Sequence, residues 1–398
     1  MNTILENIDD TELPALKREI KEALKNNSLT TAAFKIQEYL EEINNVELNI
    51  AVTGETGSGK STFVNAFRGM KYNDEGAAPT GVVETTIEAK AYPHPKYPNM
   101  NVWDLPGIGT ANFKPEEYLQ KVEFDRFDFF IIVSSERFRA NDITLAKEIQ
   151  KMKKKFYFVR SKIDNDMKAE GRKVMFDQDK TLETIRQYCI KGLEDQGLGS
   201  PKVFLISSFD LGHYDFNDFE ETIEKELPDH KRHVLLLSIP NITLKINQRK
   251  KEAFKANIWR LAFVSGVVAA IPIPGLSFAV DVSILVIEIK KYYNAFGLDD
   301  KSLQSLANRM NVPVEELKAV LKSPLNKEIN KDVVVKLLQS AVLAGVTVVE
   351  YLFSNIPIVG SLAAAGISFG TTEYMLRKCL NELADDAHNV LMKALVNE

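Results

Sequence analysis

Residues 54–61 constrain this chain more than any others. They read Gly54-Glu55-Thr56-Gly57-Ser58-Gly59-Lys60-Ser61, the GxxxxGK[ST] pattern of a phosphate loop. That pattern works in one setting, the tight turn between the end of a strand and the start of a helix. There the glycines let successive backbone N–H groups face a phosphate, and the helix N-terminus adds partial positive charge. The flanks supply both parts: an apolar run over 48–53 and a helical pattern over 61–68. A phosphorylated ligand is therefore expected on Gly54, Glu55, Thr56, Gly57, Ser58, Gly59, Lys60, Ser61 and Thr62. Lys60 would reach the β- and γ-phosphates and take part in catalysis, and Ser61 would ligate Mg²⁺.

The sequence around this loop alternates strand and helix. β-rich runs at 48–53, 100–103, 129–133, 156–159 and 203–206 are separated by amphipathic stretches such as 143–155, and 84–92 looks like an extra, antiparallel edge strand. Alternation of this kind predicts an α/β fold whose mostly parallel six-stranded sheet is covered on both faces. Residues 1–45 are charged, with apolar positions Ala33, Ile36, Leu40 and Ile43 at helical spacing. From about 240 onward helix dominates. A length of 398 residues suits two or three domains. The expected division is 1–45 and 238–398 as helical parts and 46–237 as the nucleotide domain.

Three further signals narrow the ligand. Asp104-Leu105-Pro106-Gly107 closes the strand run at 100–103. An Asp there holds a Mg²⁺-bound water, and Gly107 offers its N–H to the γ-phosphate. Ser161-Lys162-Ile163-Asp164 follows the run at 156–159. The Asp164 carboxylate can accept both the N1–H and the exocyclic amine of guanine, a donor pair that adenine lacks, which makes ATP the alternative disfavoured by Asp164. Lys162 can lie on the base plane, while Ser207 and Ser208 stand where a last guanine-contacting loop belongs. Between the phosphate loop and Asp104, a threonine should reach Mg²⁺. Thr80 is favoured, with Thr85 and Thr86 as competitors. Small GTPases place a water-orienting Gln directly after DxxG; here that residue is Ile108. Hydrolysis is then very slow unless another group completes the site, with a second subunit and Glu84 as the expected sources. GTP, GDP and Mg²⁺ are the expected ligands.

Composition excludes several other classes. The 50 basic and 55 acidic residues give a net charge of -5, so no global charge draws the chain to nucleic acid. Cys189 and Cys379 make neither a disulfide framework nor a zinc pair, and His230 and His233 have no third ligand near them in sequence. The N-terminus lacks a basic, apolar leader, and Asn2 stands where N-myristoylation needs Gly. A cytoplasmic protein in a reducing compartment is expected, with a membrane-associated fraction. Two stretches are unusually apolar: 261–280 has no charged residue, and 337–370 carries only Glu350. Pro272, Pro274 and Gly275 interrupt the first, and Pro357 and Gly360 the second. Each suits either paired helices burying one another or a membrane-inserting hairpin.

The residues over 54–65, 75–81 and 103–110, with Asn112-Phe113, Tyr157-Phe158-Val159-Arg160, Leu227-Pro228, Lys231-Arg232-His233 and Phe296-Gly297-Leu298-Asp299-Asp300, closely resemble the interferon-inducible immunity-related GTPases, the IRG family. The resemblance implies a Ras-like G domain set in a helical domain built from both chain ends. It also implies GTP-dependent self-assembly, hydrolysis stimulated by G-domain contacts, and dynamin-like action on membranes of vacuoles enclosing pathogens. Lys60 matches the GKS-type branch, and Glu84 matches a switch I glutamate implicated in hydrolysis. Ser161 departs from the family's Thr.

Overall fold

A computed structural model of the chain describes residues 46–81, 86, 88–108, 114–136, 138–269, 276–326, 329–343 and 362–395, with isolated positions before 46. The expected helix through Ala33, Ile36, Leu40 and Ile43 therefore lies outside the described residues, as do the two Pro-Gly interruptions. The described chain falls into two compact units, one Val46–Ile242 and the other taking in Thr243–Glu398.

In the first unit the strands are β1 (Leu48–Thr53), β2 (Lys90–Pro93), β3 (Met100–Asp104), β4 (Phe129–Ser134), β5 (Lys155–Arg160) and β6 (Val203–Leu205). They form one six-stranded sheet in the order β2-β3-β1-β4-β5-β6, parallel throughout except for β2, which runs antiparallel to β3 at the edge. β4 is buried along its whole length and β1 nearly so, as expected of central strands covered on both faces. Helices α1 (Lys60–Phe67), α2 (Pro115–Lys121), α3 (Ala140–Lys151), α4 (Ile163–Glu170), α5 (Gln178–Glu194), α6 (Phe216–Glu226) and α7 (Asp229–Ser238) fill the connections. One face of the sheet packs Phe130, Ile132 and Phe158 against Leu145, Ile149 and Leu193. Elsewhere Phe63 and Phe67, stacked on each other within α1, meet Phe219 and Phe216 of α6 edge-on. Such ring pairs contribute beyond the area they bury.

Two sequence expectations shift. The helix expected over 143–155 begins at Ala140, where the Asp142 carboxylate accepts the Arg139 backbone N–H at 3.0 Å. It ends at Lys151; Lys153 turns the chain with φ 57°, and Lys155 opens β5. The Lys154 backbone N–H caps the helix end at the Ile149 carbonyl (3.2 Å), but its side chain does not serve that end: Nζ donates to the Asp125 and Phe127 carbonyls, both at 2.8 Å. The edge strand expected over 84–92 starts only at Lys90. Upstream of it, Thr86 sits outside the strand and bonds Asp104 instead.

The second unit is helical: α8 (Leu244–Ala269), α9 (Leu276–Ala295), α10 (Asp300–Arg309), α11 (Val314–Lys318), α12 (Lys331–Leu343) and α13 (Leu362–Leu395). α8, α9 and α13 pack on one another through Ile258, Ala262, Leu285, Ile289, Met375 and Leu376, all buried. At one level in this packing, Ser265 of α8 and Ser368 of α13 both donate to the Asp281 carboxylate of α9, and Thr372 stands 2.9 Å from Ser265 Oγ. Lower down, the Lys250 ammonium is buried and donates to the Ala295 carbonyl at 2.7 Å, closing the end of α9. The described parts of the two apolar stretches thus end and begin packed helices. Among the described residues no helix is long and apolar enough to cross a membrane.

Candidate functional site

The site grows from the C-terminal ends of β1 and β3, where a parallel sheet commonly leaves its ligand crevice. β1 ends at Thr53 and the chain turns at once through Gly54, which has φ 138°. A Cβ on Gly54 would stand 2.1 Å from the Val133 carbonyl oxygen, so only glycine lets the loop lie against β4. Gly59, left-handed at φ 97°, leads into α1. Lys60 is buried, and its ammonium donates to the Glu55 carbonyl at 3.0 Å. Thr56, Gly57, Gly59, Lys60, Ser61 and Thr62 line one open pocket, which Thr80, Thr86, Gly107 and Lys162 complete. Gly54, Glu55 and Ser58 shape the loop behind this lining.

Asp104 is fully buried at the end of β3. Its Oδ2 accepts Ser61 Oγ–H at 2.6 Å and Thr86 Oγ1–H at 2.9 Å. Its Oδ1 is buried without a hydrogen-bond partner among the described residues. Burial pushes the Asp104 carboxyl above its ordinary value, while the two hydroxyls and the Lys60 ammonium offset part of that shift. A buried, unpaired carboxylate oxygen calls for an explanation. Hydroxyl and carboxylate oxygens are the hard donors that Mg²⁺ takes, completed by phosphate and water, so these residues fit the ion. Thr80 is exposed on the pocket rim. Glu84 and Thr85 lie outside the described residues.

At the other end of the loop, Ser161 is buried beneath the phosphate loop, with Oγ 2.6 Å from the Ser58 carbonyl it donates to. Lys162, left-handed at φ 57°, starts α4 and reaches back to the Gly57 carbonyl at 2.8 Å. Asp164 occupies the first turn of α4, half-buried. Ser207 is buried just past β6, where its Oγ accepts the Phe209 N–H at 3.3 Å, and Ser208 beside it is half-buried. Asp164, Ser207 and Ser208 do not line the pocket that holds the phosphate loop.

Several contacts around the site have no motif to announce them. Arg139 pairs with the Glu55 carboxylate at 2.7 Å, tying the start of α3 to the phosphate loop. Asp142, one turn away, is fully buried, and its carboxyl is pushed up to about 7, chiefly by burial. Tyr118 of α2 and Asn141 of α3 each donate to a carbonyl beside Gly107: Tyr118 to Pro106 at 3.0 Å and Asn141 to Ile108 at 2.7 Å. The only sequence trace of these partners is their nearness to helix starts. Thr86 was visible as one of three threonines, but nothing local set it against Asp104.

The profile of the interferon-inducible GTPase (IIGP) family matches residues 13–394. The chain is 41% identical over 389 residues to interferon-inducible GTPase 5 of Bos taurus, a match covering 97% of this chain and 83% of that protein. It is 42% identical over 379 residues to interferon-gamma-inducible GTPase 10 of Mus musculus, covering 94% and 88%. Against interferon-inducible GTPase 1 of Mus musculus it is 44% identical over 303 residues, covering 75% and 72%. A phosphate loop, a DxxG turn and an Asp-bearing loop, in this order on a six-stranded sheet and within a family match over nearly the whole chain, make this protein a GTPase of the interferon-inducible GTPase family.

Proposed function

We propose that this GTPase is Mg²⁺-dependent, assembles with copies of itself when GTP is bound, and hydrolyses GTP efficiently only across contacts between G domains. The observation that carries this reading is Ile108. The residue after DxxG is aliphatic and almost completely buried, 1% exposed, so it can neither orient a water nor donate to the transition state. A chain that belongs to a GTPase family yet lacks the usual water-orienting side chain needs that group from elsewhere. Glu84, in the segment between the phosphate loop and β2, is the proposed residue that positions the water.

Within the chain, the phosphate loop's backbone amides hold the phosphates. Lys60 leaves the Glu55 carbonyl for the β- and γ-phosphates, and the Gly107 N–H meets the γ-phosphate. Ser61 and Thr80 would hold Mg²⁺, with Asp104 beside it through water; bound there, the ion would neutralise charge on the phosphate oxygens. Asp164 accepts from guanine, with Lys162 along the base and Ser161, Ser207 and Ser208 supporting its loop. The family and the texture of the chain support a helical domain drawn from 1–45 and 238–398, and a role in cell-autonomous immunity on intracellular, pathogen-enclosing membranes.

The deciding experiment follows GTP turnover per molecule over a wide range of protein concentration, with Lys60→Ala as the blank. A specific rate that climbs steeply with concentration supports subunits completing one another's sites. A flat, near-zero rate with intact GTP binding replaces this reading with a nucleotide-controlled binding switch. Flotation with liposomes, with and without GTP, tests the membrane part, including insertion governed by GTP.

A further inference from the structure

The peptide between Pro106 and Gly107 is held by a chain of hydrogen bonds that begins at the phosphate loop. Tyr118 Oη donates to the Pro106 carbonyl at 3.0 Å. A phenol has one proton, so the 2.9 Å contact between Tyr118 Oη and Thr53 Oγ1 is one in which Thr53 donates and Tyr118 accepts. Thr53 is fully buried at the end of β1, directly before Gly54. Burial holds the Tyr118 phenol well above its ordinary value, so it keeps its proton and stays a donor. Two further contacts fix the same turn: the Ile108 N–H donates to the Gly54 carbonyl at 3.3 Å, and Asn141 Nδ2 donates to the Ile108 carbonyl at 2.7 Å.

The geometry of one peptide plane gives this chain its meaning. The Pro106 carbonyl and the Gly107 N–H belong to the same planar group, which is trans, and in a trans peptide the two point in opposite directions. Drawing the Pro106 oxygen towards Tyr118 therefore aims the Gly107 N–H away from it. Gly107 lines the pocket together with Lys60, Ser61 and Thr86. Without the Tyr118 hydroxyl, a rotation of this peptide would cost one hydrogen bond less. We infer that Tyr118 is a positioning residue for the γ-phosphate: its hydroxyl, set by Thr53, fixes the Pro106–Gly107 peptide so that the Gly107 N–H is preset to meet the terminal phosphate. This rests on the proposed role of Gly107, and it adds a residue in α2, outside every nucleotide motif, that separates GTP from GDP.

The test uses the full-length chain and its Tyr118→Phe variant, with titrations of GDP and of the non-hydrolysable analogue guanosine 5′-(β,γ-imido)triphosphate. The variant keeps the ring and removes only the donor. Expected is GDP affinity within about twofold of the parent and analogue affinity about fivefold weaker, the scale of one hydrogen bond. A purely structural tyrosine would lower both affinities together along with the melting temperature, and that result overturns the inference. Unchanged affinity for both nucleotides overturns it as well. Should Tyr118→Phe not fold, Thr53→Val decides: it removes the donor that sets the phenol, and the same selective loss is expected, with Thr53→Ser restoring the parent ratio. Lys60→Ala, titrated alongside, tests the underlying reading separately. If it binds both nucleotides as tightly as the parent, the pocket itself is misassigned, whatever Tyr118 does.

Discussion

Ser161 Oγ donates to the Ser58 carbonyl across 2.6 Å, with the Ser134 carbonyl a second acceptor at 3.2 Å. One buried hydroxyl thus joins the loop after β5 to the phosphate loop and to the end of β4. The loop that leads into Asp164 is thereby fastened to the phosphate loop by a side chain within the protein itself.

Ser161→Ala leaves the Ser58 carbonyl buried and without this donor. GDP and GTP affinity should fall together by about fivefold, as for one hydrogen bond. Ser161→Thr keeps the hydroxyl and should stay within about twofold. A titration of both nucleotides checks this; a loss confined to GTP would contradict a fastening role.

Thr86 already bonds Asp104, while Thr80 stands exposed on the rim. If Thr80 is the residue that closes on Mg²⁺, Thr80→Ala should raise the Mg²⁺ concentration needed for half-maximal GTP turnover by about tenfold, and Thr86→Ala by no more than about twofold. The reverse order in a Mg²⁺ titration would move the ligand role to Thr86.

Asp142 carries a pH signature. Its carboxyl is pushed up to about 7 in the folded chain, against about 3.9 when unfolded. Between those values the folded form holds a proton that the unfolded form has released, so this group makes stability fall as pH rises from about 4 to about 7 and adds no slope above. Asp142→Asn removes that slope while its amide oxygen can still accept the Arg139 N–H. The variant's melting temperature relative to the parent should rise with pH, reaching on the order of 5 °C by about pH 8. A difference that does not change with pH would show that Asp142 is not the titrating group.

Gly54→Ala places a methyl 2.1 Å from the Val133 carbonyl at φ 138°. β1 and β4 would have to part, so the expected outcome is loss of nucleotide binding with a fall in melting temperature of about 5 °C or more. Normal binding by a well-folded variant would mean that the loop moves freely off β4.

Asp164→Asn should weaken GTP and favour xanthosine triphosphate, whose base presents an acceptor where guanine presents its amine. Competition between the two nucleotides measures the switch, and an unchanged preference for GTP would remove Asp164 from base recognition.

Much of the nucleotide unit was legible because its signals are local. The strand runs are contiguous apolar segments, and the phosphate loop, Asp104-Gly107 and Ser161-Asp164 are each confined to a few residues at a strand end. What escaped depends on pairs far apart in the chain. Tyr118 meets Thr53 and Pro106 only after α2 has folded back over β1, and Arg139 meets Glu55 only once α3 packs beside the phosphate loop. The lysines at 151–155 show the limit from the other side. Their charge suits a helix end, but Lys154 bonds loop carbonyls and Lys155 belongs to a strand. Charge alone does not say which backbone it serves.

The Asp281 carboxylate sets the register of three helices at once. Ser265 and Ser368 bind its two oxygens from α8 and α13, and Thr372 adds its hydroxyl one turn from Ser368. Apolar ridges tolerate a slip of one turn, because one leucine replaces another in the same groove. Here a slip of any single helix would pull the half-buried Asp281 carboxyl away from the Ser265 or Ser368 hydroxyl, a specific loss that an apolar ridge does not impose. Of the registers that the apolar ridges would allow, these hydroxyls single out one.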